Sequence, residues 1–379
     1  MGTAHTSNSE VVVVTSDEPW GPIWHTQLHY AFQLSKRYQV IYFDPPEPWN
    51  FRNLFSWKQY VKKVSDSLTV IRYFNFLPSF LGKVALKIND AVNERLCNRL
   101  MRKSGYGAIS VFWHFDPFRS FHSFRKNRNI KHIYHVVDPI AGSHLDVEQS
   151  LAADLVIITS PKFIEHYRKL NKNVIQIGQG ADTQFFQVQE PEAIIQQLVS
   201  YDSILLLGTI SDEIDFLFLQ ALAKKFPGKL VLIGPDTTRD NNKKGQFKQL
   251  LSIEGVTWLG PMPPVDFRKH LQACRIGIIA YDNSRHDRNN LRSPLKVISY
   301  LAAGKSIVSN IDCEIGSLQN KAIYNVTTPE EYFALIIKGY SNELEFDQQV
   351  VNSYLKSIDY NALLTLIFEK INQPLAELK

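Results

Sequence analysis

Residues 293–308 read SPLKVISYLAAGKSIV and predict a helix that ends at Gly304 and leads into a buried strand. Ser293 is suited to cap the helix, and Pro294 is favoured in a first helical turn, where no backbone donor is needed. Glycine often follows a helix because it adopts left-handed backbone angles without strain. The apolar residues at helical spacing are Leu295, Ile298 and Leu301.

The start of this helix is a candidate anion site. Free backbone N–H groups and the helix dipole favour negative charge there, and Lys296 lies in the first turn. The pattern therefore predicts a phosphate-bearing ligand near Lys296. An ordinary structural helix–strand unit is the alternative.

The composition is that of a globular protein of two domains. The chain has 379 residues, of which 44% are hydrophobic and 21% charged. Its net charge of +5 and isoelectric point of about 8.8 suit an anionic ligand or an acidic membrane surface, but are too weak to indicate nucleic acid. No signal peptide or spanning segment is readable, so we expect a cytoplasmic protein, with any membrane contact peripheral. The scattered cysteines, which predict neither disulfide nor metal site, are Cys97, Cys274 and Cys313.

Strands and helices alternate along the first half of the chain. Continuous apolar strands of this kind are typical of a parallel sheet covered on both faces. The predicted strands are Val11–Thr15, Gln39–Phe43, Ile109–Trp113, His132–Val137, Leu155–Thr159 and Asn173–Ile177, and the predicted helices are His25–Lys36 and Lys83–Lys103.

Residues Gln179–Tyr201 interrupt the alternation and are predicted to be a linker, after which the pattern restarts. The elements predicted next are strand Ile204–Leu207, helix Glu213–Lys225, strands Lys229–Ile233 and Val256–Leu259, helix Val265–Ala273, strand Ile276–Ala280, and helices Pro329–Lys338, Gln348–Lys356 and Tyr360–Ile371. The sequence thus predicts a polar tail over residues 1–10 and doubly wound domains over residues 11–185 and 186–355.

Five loops follow predicted strand ends and are candidates to line a cleft. They are Ser16–Pro22, the loop that begins at Asp138, Gly208–Ser211, Gly234–Asp236 and Tyr281–Asn283. Asp138 is placed to act as a general base, with a helix cap or structural ion pair as the alternative. Gly208 permits close approach of a phosphate and Thr209 offers a hydroxyl, although capping by Ser211 is equally compatible with the pattern.

The loop after Ile276–Ala280 carries an aromatic side chain and several cations. Tyr281 could stack on a base or sugar. The arginines, which could pair with phosphate or carboxylate or lie in a solvated loop, are Arg285, Arg288 and Arg292.

Several familiar signatures are absent. The sequence lacks G-x-G-x-x-G after the first strand, G-x-S-x-G, Walker A and Asp-x-Asp, and the last of these absences argues against a metal-bound sugar nucleotide. His25 and His29 have helical spacing, but without a third ligand a structural role is expected.

Aromatic and basic residues occur together in residues 51–63, and residues 74–86 add further aromatic and apolar residues around Lys83, with Lys87 just beyond. This mixture suits an interfacial membrane patch, with Lys58, Lys62 and Lys63 among the cations. A partly buried pair of helices is the alternative.

Set in chain order, these motifs resemble the GT-B glycosyltransferases. Residues 294–305, PLKVISYLAAGK, resemble the family's PLKLFEYLAAGKPV, residues 153–161 resemble ADLVIVTSP, and residues 177–182 resemble IPNGVD. The resemblance covers about residues 10–340. It implies two Rossmann-like domains, with the nucleotide sugar on the second and the acceptor on the first. It also implies that residues 356–379 form a helix returning to the N-terminal domain.

The chain departs from the family where the ribose-binding glutamate would stand, since this position is Ser299. The second acidic residue of the retaining enzymes falls on Leu291. The bacterial xanthan glucuronosyltransferase, an inverting enzyme, similarly lacks that glutamate. The resemblance to it implies an aspartate base at Asp138, a phosphate-contacting lysine at Lys296 and a matching tyrosine at Tyr281.

The sequence thus predicts a cytoplasmic, metal-independent glycosyltransferase of cell-surface polysaccharide synthesis. A UDP-sugar would be its co-substrate, with no cofactor, and its acceptor a saccharide or lipid-linked saccharide. A sugar-nucleotide epimerase and an inactive nucleotide-sugar-binding module are the alternatives. The predicted donor-side residues are Gly208, Thr209, Gly234, Tyr281, Arg292, Ser293, Lys296 and Ser299, and the predicted acceptor-side residues are Asp17, Trp20, Gly21 and His114.

Overall fold

The computed structural model describes residues 10–21, 23–47, 60–104, 106–119, 121–137, 143–284, 295–313 and 315–372. The chain forms two compact units. Unit 1 comprises Met1–Gly178 and Leu363–Lys379, and unit 2 comprises Gln179–Ala362.

Unit 1 contains an eight-stranded sheet in the order β3-β4-β2-β1-β5-β6-β7-β8, in which the β3–β4 pair is antiparallel and the other pairs are parallel. The strands are β1 Val11–Thr15, β2 Gln39–Phe43, β3 Tyr60–Ser65, β4 Leu68–Arg72, β5 Ile109–His114, β6 Lys131–Val136, β7 Leu155–Ile158 and β8 Val174–Gln176. The helices are α1 Thr26–Ser35, α2 Gly82–Ser104, α3 His122–Lys126, α4 His144–Ala152 and α5 Ile164–Arg168, with 3-10 turns at Ser79–Leu81 and Pro161–Phe163. Every residue of β1 is buried, as its continuous valine run predicts.

The hairpin of β3 and β4 corrects the helical alternative for residues 60–63. Lys62 faces Val70 and Lys63 faces Thr69 across the two strands. Lysines on a strand at the edge of a sheet prevent another chain from pairing with it, which is a structural reason for this pattern. Lys58 lies outside the described residues.

Unit 2 contains a six-stranded, all-parallel sheet in the order β11-β10-β9-β12-β13-β14. The strands are β9 Ile204–Leu207, β10 Leu230–Ile233, β11 Thr257–Trp258, β12 Ile276–Ile279, β13 Ile307–Ser309 and β14 Ile323–Asn325. The chain order therefore reverses between β9 and β12. In doubly wound sheets, this reversal opens a crevice at the carboxyl ends of the two strands, where ligands bind.

The helices of unit 2 include elements that the sequence patterns missed. They are α6 Thr183–Gln187, α7 Glu192–Ile195, α8 Phe216–Lys225, α9 Asn241–Leu251, α10 Pro264–Ala273, α11 Leu295–Ala302, α12 Pro329–Tyr340 and α13 Gln348–Ser357, with a 3-10 turn at Gly316–Leu318. The predicted linker thus contains α6 and α7, and Ala181 and Phe186 belong to the hydrophobic core. The polar helix α9 is initiated by Asp240, whose carboxylate accepts hydrogen bonds from the N–H groups of Asn242 and Lys243.

The helix predicted from residues 293–308 is present as α11 and stops as predicted. Gly304 has φ +71°, its N–H donates to Leu301 O at 3.0 Å, and the Lys305 N–H donates to Tyr300 O at 2.9 Å. These two bonds form a Schellman motif. The Tyr300 hydroxyl donates to Leu205 O at 2.7 Å and accepts from Leu207 N at 2.8 Å, so α11 is fixed to β9.

The last helix, α14, spans Tyr360–Asn372, and from Leu363 onward it belongs to unit 1. Its Phe368 ring packs against Tyr38 at 5.1 Å and Trp113 at 6.5 Å between ring centroids. None of the helices in the described part of the chain is both long and apolar enough to cross a bilayer.

Candidate functional site

The crevice of unit 2 brings together three of the predicted donor-side residues. Gly208 follows β9 and Tyr281 follows β12, while Lys296 lies in the first turn of α11. The Lys296 Nζ atom is 4.8 Å from the centroid of the Tyr281 ring. A Cβ atom placed on Gly208 would be 3.2 Å from the same Nζ. A half-buried cation therefore lies beside an aromatic ring and directly against the Gly208 turn.

The two glycine turns of this crevice pack backbone against backbone. Gly208 has φ +118° and Gly234 has φ +144°, values that residues with a Cβ atom rarely adopt. A Cβ atom on Gly234 would lie 1.9 Å from Gly208 O. Gly234 is itself buried, and its carbonyl accepts a hydrogen bond of 2.9 Å from Trp258 Nε1. Close packing against Gly208 is thus a sufficient reason for a glycine at position 234. Gly208 and Thr209, in contrast, reach the surface.

Ser299 lies on the buried side of α11 and is 7% exposed. Its hydroxyl points back to Leu295 O at 3.5 Å, a common arrangement for serine inside a helix. Little of this side chain is accessible to a ligand. Its predicted contact with the donor remains a prediction.

Two side chains that the sequence analysis did not single out hold the Tyr281 loop in place. The Asn310 side chain accepts from Tyr281 N at 2.9 Å and donates to Tyr281 O at 2.6 Å. The buried Lys243 ammonium donates to Asp282 at 2.6 Å and to Ile214 O at 2.9 Å. Although burial acts to raise it, the bonds from Lys243 and Ser284 lower the pKa of Asp282 to about 2.

We expect the Lys243–Asp282 pair to respond asymmetrically to mutation. The Lys243 side chain is 5% exposed and that of Asp282 is 20% exposed. Asp282→Ala strands a buried ammonium and should lower the free energy of unfolding by about 3–5 kcal/mol. Lys243→Met leaves a carboxylate that water can reach, so its cost should be smaller. Urea unfolding followed by Trp258 fluorescence in a variant lacking the other tryptophans measures both.

The control for this comparison is Asp66→Ala, which breaks the exposed pair of Asp66 with Lys63 and should leave stability unchanged. Equal losses for Asp282→Ala and Lys243→Met would contradict the asymmetry.

The predicted acceptor-side loop after β1 is fixed by Asp44. The Trp20 N–H donates to Asp44 at 2.8 Å, and Arg72 pairs with the same carboxylate at 3.0 Å. Trp20 is buried, whereas Asp17 is exposed and accepts from Gln27 at 2.9 Å. Gly21 follows at the surface, half-buried.

His114 is not at the surface, which corrects its acceptor-side prediction. Its side chain on β5 is 0% exposed and stacks between the rings of Phe112, at 5.2 Å, and Tyr134, at 4.8 Å. Burial, followed by the neighbouring His132, lowers the pKa of His114 well below its usual value. A neutral ring enclosed in this way has no surface to offer an acceptor.

Three predicted site residues, Asp138, Arg292 and Ser293, lie outside the described residues, as do Arg285 and Arg288. Within the described ranges, no three His, Cys, Asp or Glu side chains are grouped so that they could hold a metal ion. His25 lies 3.5 Å from Glu18, and the His29 ring packs on Trp24 at 5.1 Å.

The sequence and the structure of the chain are similar to those of known proteins. No protein-family model matches the sequence. Over 168 residues the chain is 27% identical to TuaH of Bacillus subtilis (strain 168), a protein named as a teichuronic acid biosynthesis glycosyltransferase. The match covers 43% of this chain and 41% of TuaH, so the chain spans about two fifths of its curated relative.

Solved structures match over almost the whole chain. Sucrose-phosphate synthase from Thermosynechococcus elongatus has a TM-score of 0.66 and 14% identity, over 95% of this chain and 98% of that one. HepE from Anabaena, solved with UDP and glucose, has a TM-score of 0.65 and 12% identity, over 97% of this chain and 100% of that one. The chain therefore has the GT-B fold, and part of its sequence is similar to that of a named glycosyltransferase.

Proposed function

We propose that this protein is a glycosyltransferase that moves a sugar from a UDP-sugar to a hydroxyl of an acceptor. The observation that carries the proposal is the grouping of Lys296 Nζ, the Tyr281 ring and the Gly208 turn at the switch point of the unit 2 sheet. An ammonium there can neutralise a diphosphate, and an aromatic ring can stack on a base or sugar. HepE has the same fold and was solved with UDP.

In the proposed reaction an acceptor hydroxyl attacks the anomeric carbon of the donor. The bond from this carbon to the diphosphate oxygen breaks, UDP leaves with the bonding electrons, and the hydroxyl proton passes to Asp138 as base. Lys296 stabilises the charge that develops on the diphosphate. We propose that this ammonium serves where other transferases use a metal ion, with no cofactor beyond the donor. Arg292 and Ser293 would complete the diphosphate site.

The proposed acceptor is a saccharide or a lipid-linked saccharide of cell-surface polysaccharide synthesis, handled on the cytoplasmic face of the membrane. Partial similarity to a protein named for teichuronic acid biosynthesis supports the pathway. We place the acceptor with unit 1, beside Asp17 and Gly21. The absence of glutamate at Ser299 supports an inverting mechanism.

The proposal is tested by separating binding from chemistry. UDP and UDP-sugars should raise the melting temperature of the wild type and of Asp138→Asn alike, because a ligand that binds only the folded state stabilises it. Transfer by Asp138→Asn should fall by about 10²- to 10⁴-fold, the usual contribution of a general base.

The outcomes distinguish the alternatives. Full transfer by a folded Asp138→Asn would reject the base, and no shift with any UDP compound would reject the donor. Turnover of a UDP-sugar without acceptor would indicate an epimerase. Binding without UDP release under any donor–acceptor pair would indicate an inactive binding module.

A further inference from the structure

The first half of helix α2 has its polar and apolar faces reversed relative to a helix packed on a core. Among the buried side chains are Asn89, Asp90, Asn93 and Glu94, each at most 8% exposed. Val84 and Ile88 of the same helix are 69% and 40% exposed, and Phe80 and Leu81 in the turn before it are 81% and 54% exposed. Helices on globular proteins normally bury the apolar face.

The buried polar side chains make hydrogen bonds that hold neighbouring segments in place. These bonds explain why the polar face is buried. Asn89 accepts from Leu77 N and donates to Leu77 O, both at 2.8 Å, and so holds the preceding loop. Glu94 accepts from the N–H groups of Ser123 and Phe124 at 3.1 and 2.9 Å, at the start of α3. None of these bonds requires apolar side chains on the opposite face.

The exposed apolar residues form a continuous stripe. Leu81, Val84 and Ile88 are spaced by three and four residues, which puts them on one side of the helix, and Phe80 lies beside them at its start. Large apolar side chains grouped in this way on a surface indicate a site of interaction. The stripe is defined here by Phe80, Leu81, Val84 and Ile88.

The charges that surround the stripe are all of one sign on this helix. Both acidic residues of α2, Asp90 and Glu94, are buried. Among the α2 side chains that the structure describes, the exposed ionisable ones are Lys83, Lys87, Arg95, Arg99 and Arg102. Arg95, Arg99 and Arg102 continue the line of the stripe along the same face at helical spacing. Lysines therefore flank the apolar stripe at the start of the helix, and arginines cover the rest of the same face.

We propose that this face of α2 docks on an anionic lipid bilayer, with the stripe inserted among the acyl chains and the lysines and arginines at the headgroups. Apolar side chains beside cations are the combination that holds peripheral helices in the interface of anionic membranes. A protein partner would be expected to present carboxylates and a matching groove, and an interface between copies of this chain is an outcome of the test. The inference extends the proposed function, whose lipid-linked acceptor such a surface would present.

The experiment measures sedimentation of the full chain with vesicles, without donor or acceptor, so its result is independent of the transfer reaction. Wild type should bind vesicles of phosphatidylglycerol and phosphatidylcholine, bind phosphatidylcholine alone much more weakly, and be released by salt only in part, because salt screens the charges and leaves the inserted apolar side chains in place. Lys83→Glu/Lys87→Glu should lower the partition coefficient at least about 25-fold, since each lost charge is worth about fivefold. Val84→Glu/Ile88→Glu should abolish the binding that survives in high salt.

Matched controls distinguish binding by this face of α2 from a general effect of net charge or of exposed hydrophobic residues. Lys126→Glu/Lys131→Glu changes the net charge equally on exposed positions of unit 1, and Leu151→Glu alters an exposed leucine of α4 that is 62% exposed. Both controls should bind as wild type does. Circular dichroism and melting temperature verify that each variant is folded.

Three results would overturn the proposal. Wild type that binds neither vesicle has no such surface, and equal losses in patch and control variants would show only a general charge effect. If gel filtration shows a wild-type oligomer that Val84→Glu/Ile88→Glu converts to monomer, with vesicle binding unchanged, the face is a protein interface instead.

Discussion

Replacing Lys296 by methionine is expected to lower kcat/KM for sugar transfer by about 10²- to 10³-fold while the protein stays folded. The ammonium is half-buried, with the Tyr281 ring 4.8 Å away as its neighbour. Attraction to a ring is worth about 0.5–2 kcal/mol, far less than attraction to a diphosphate whose charge grows as the sugar leaves. The fold should therefore lose little, and the proposed reaction should lose most of its charge stabilisation.

The division of this effect between kcat and KM carries the information. A contact that strengthens as UDP leaves lowers kcat, whereas one equally strong in the ground state raises KM alone. We expect kcat to fall more than KM rises, and Lys296→Arg to restore part of the activity because it keeps the positive charge. Steady-state kinetics with saturating acceptor measure both constants.

A matched control lies at the other end of the same helix. Lys305→Met removes a lysine just beyond Gly304 and should leave both constants unchanged. Unchanged kcat in Lys296→Met, with a normal melting temperature, would show that the leaving diphosphate is stabilised elsewhere.

Unit 1 is expected to lose stability steeply as the pH falls below about 6.5. Three histidines of β5 and β6, His114, His132 and His135, are at most 3% exposed, and none has a hydrogen-bond partner for either ring nitrogen among the described residues. Burial lowers the pKa of His132 and of His135 to about 3, and that of His114 well below its usual value.

The sign follows from which state takes up protons. Above about pH 6.5 the histidines are neutral in both states and have no effect on the pH dependence. Below that value the unfolded chain binds protons that the folded chain excludes, so stability falls until the folded pKa, about 3 for His132 and His135, is reached. Well below pH 6.5 each histidine contributes about 1.4 kcal/mol per pH unit, and the three together contribute about 4 kcal/mol between pH 7.5 and 5.5.

Urea unfolding at pH 7.5 and 5.5 measures the loss. His132→Phe should reduce the slope by about one third, because a phenyl ring fits beside Phe112, whose centroid is 4.9 Å from the His132 ring. The exposed His144→Gln should leave the slope as in wild type. The same slope in His132→Phe and wild type would contradict the prediction.

Local patterns predicted those elements whose stability depends mainly on their own residues. β1, β2 and β9 have the predicted bounds because continuous apolar runs end there at polar or turn residues. Gly304 ends α11 because a left-handed turn after a helix favours glycine. Strand β3 and helix α9 were missed because their sequences are rich in polar residues, and pairing with β4 and an aspartate cap stabilise them.

The sequence by itself determined the alternating α/β order of the two halves. It also determined that Gly208 and Tyr281 follow strand ends and that Lys296 lies in the first turn of a helix. Only the tertiary structure decided that these three meet, that Lys243 pairs with Asp282 across 39 positions, that His114 is enclosed, and that α2 exposes its apolar side. The physical reason is that helix and strand signals are local, with periods of a few residues. Burial and charge pairing depend on which distant element packs against each face.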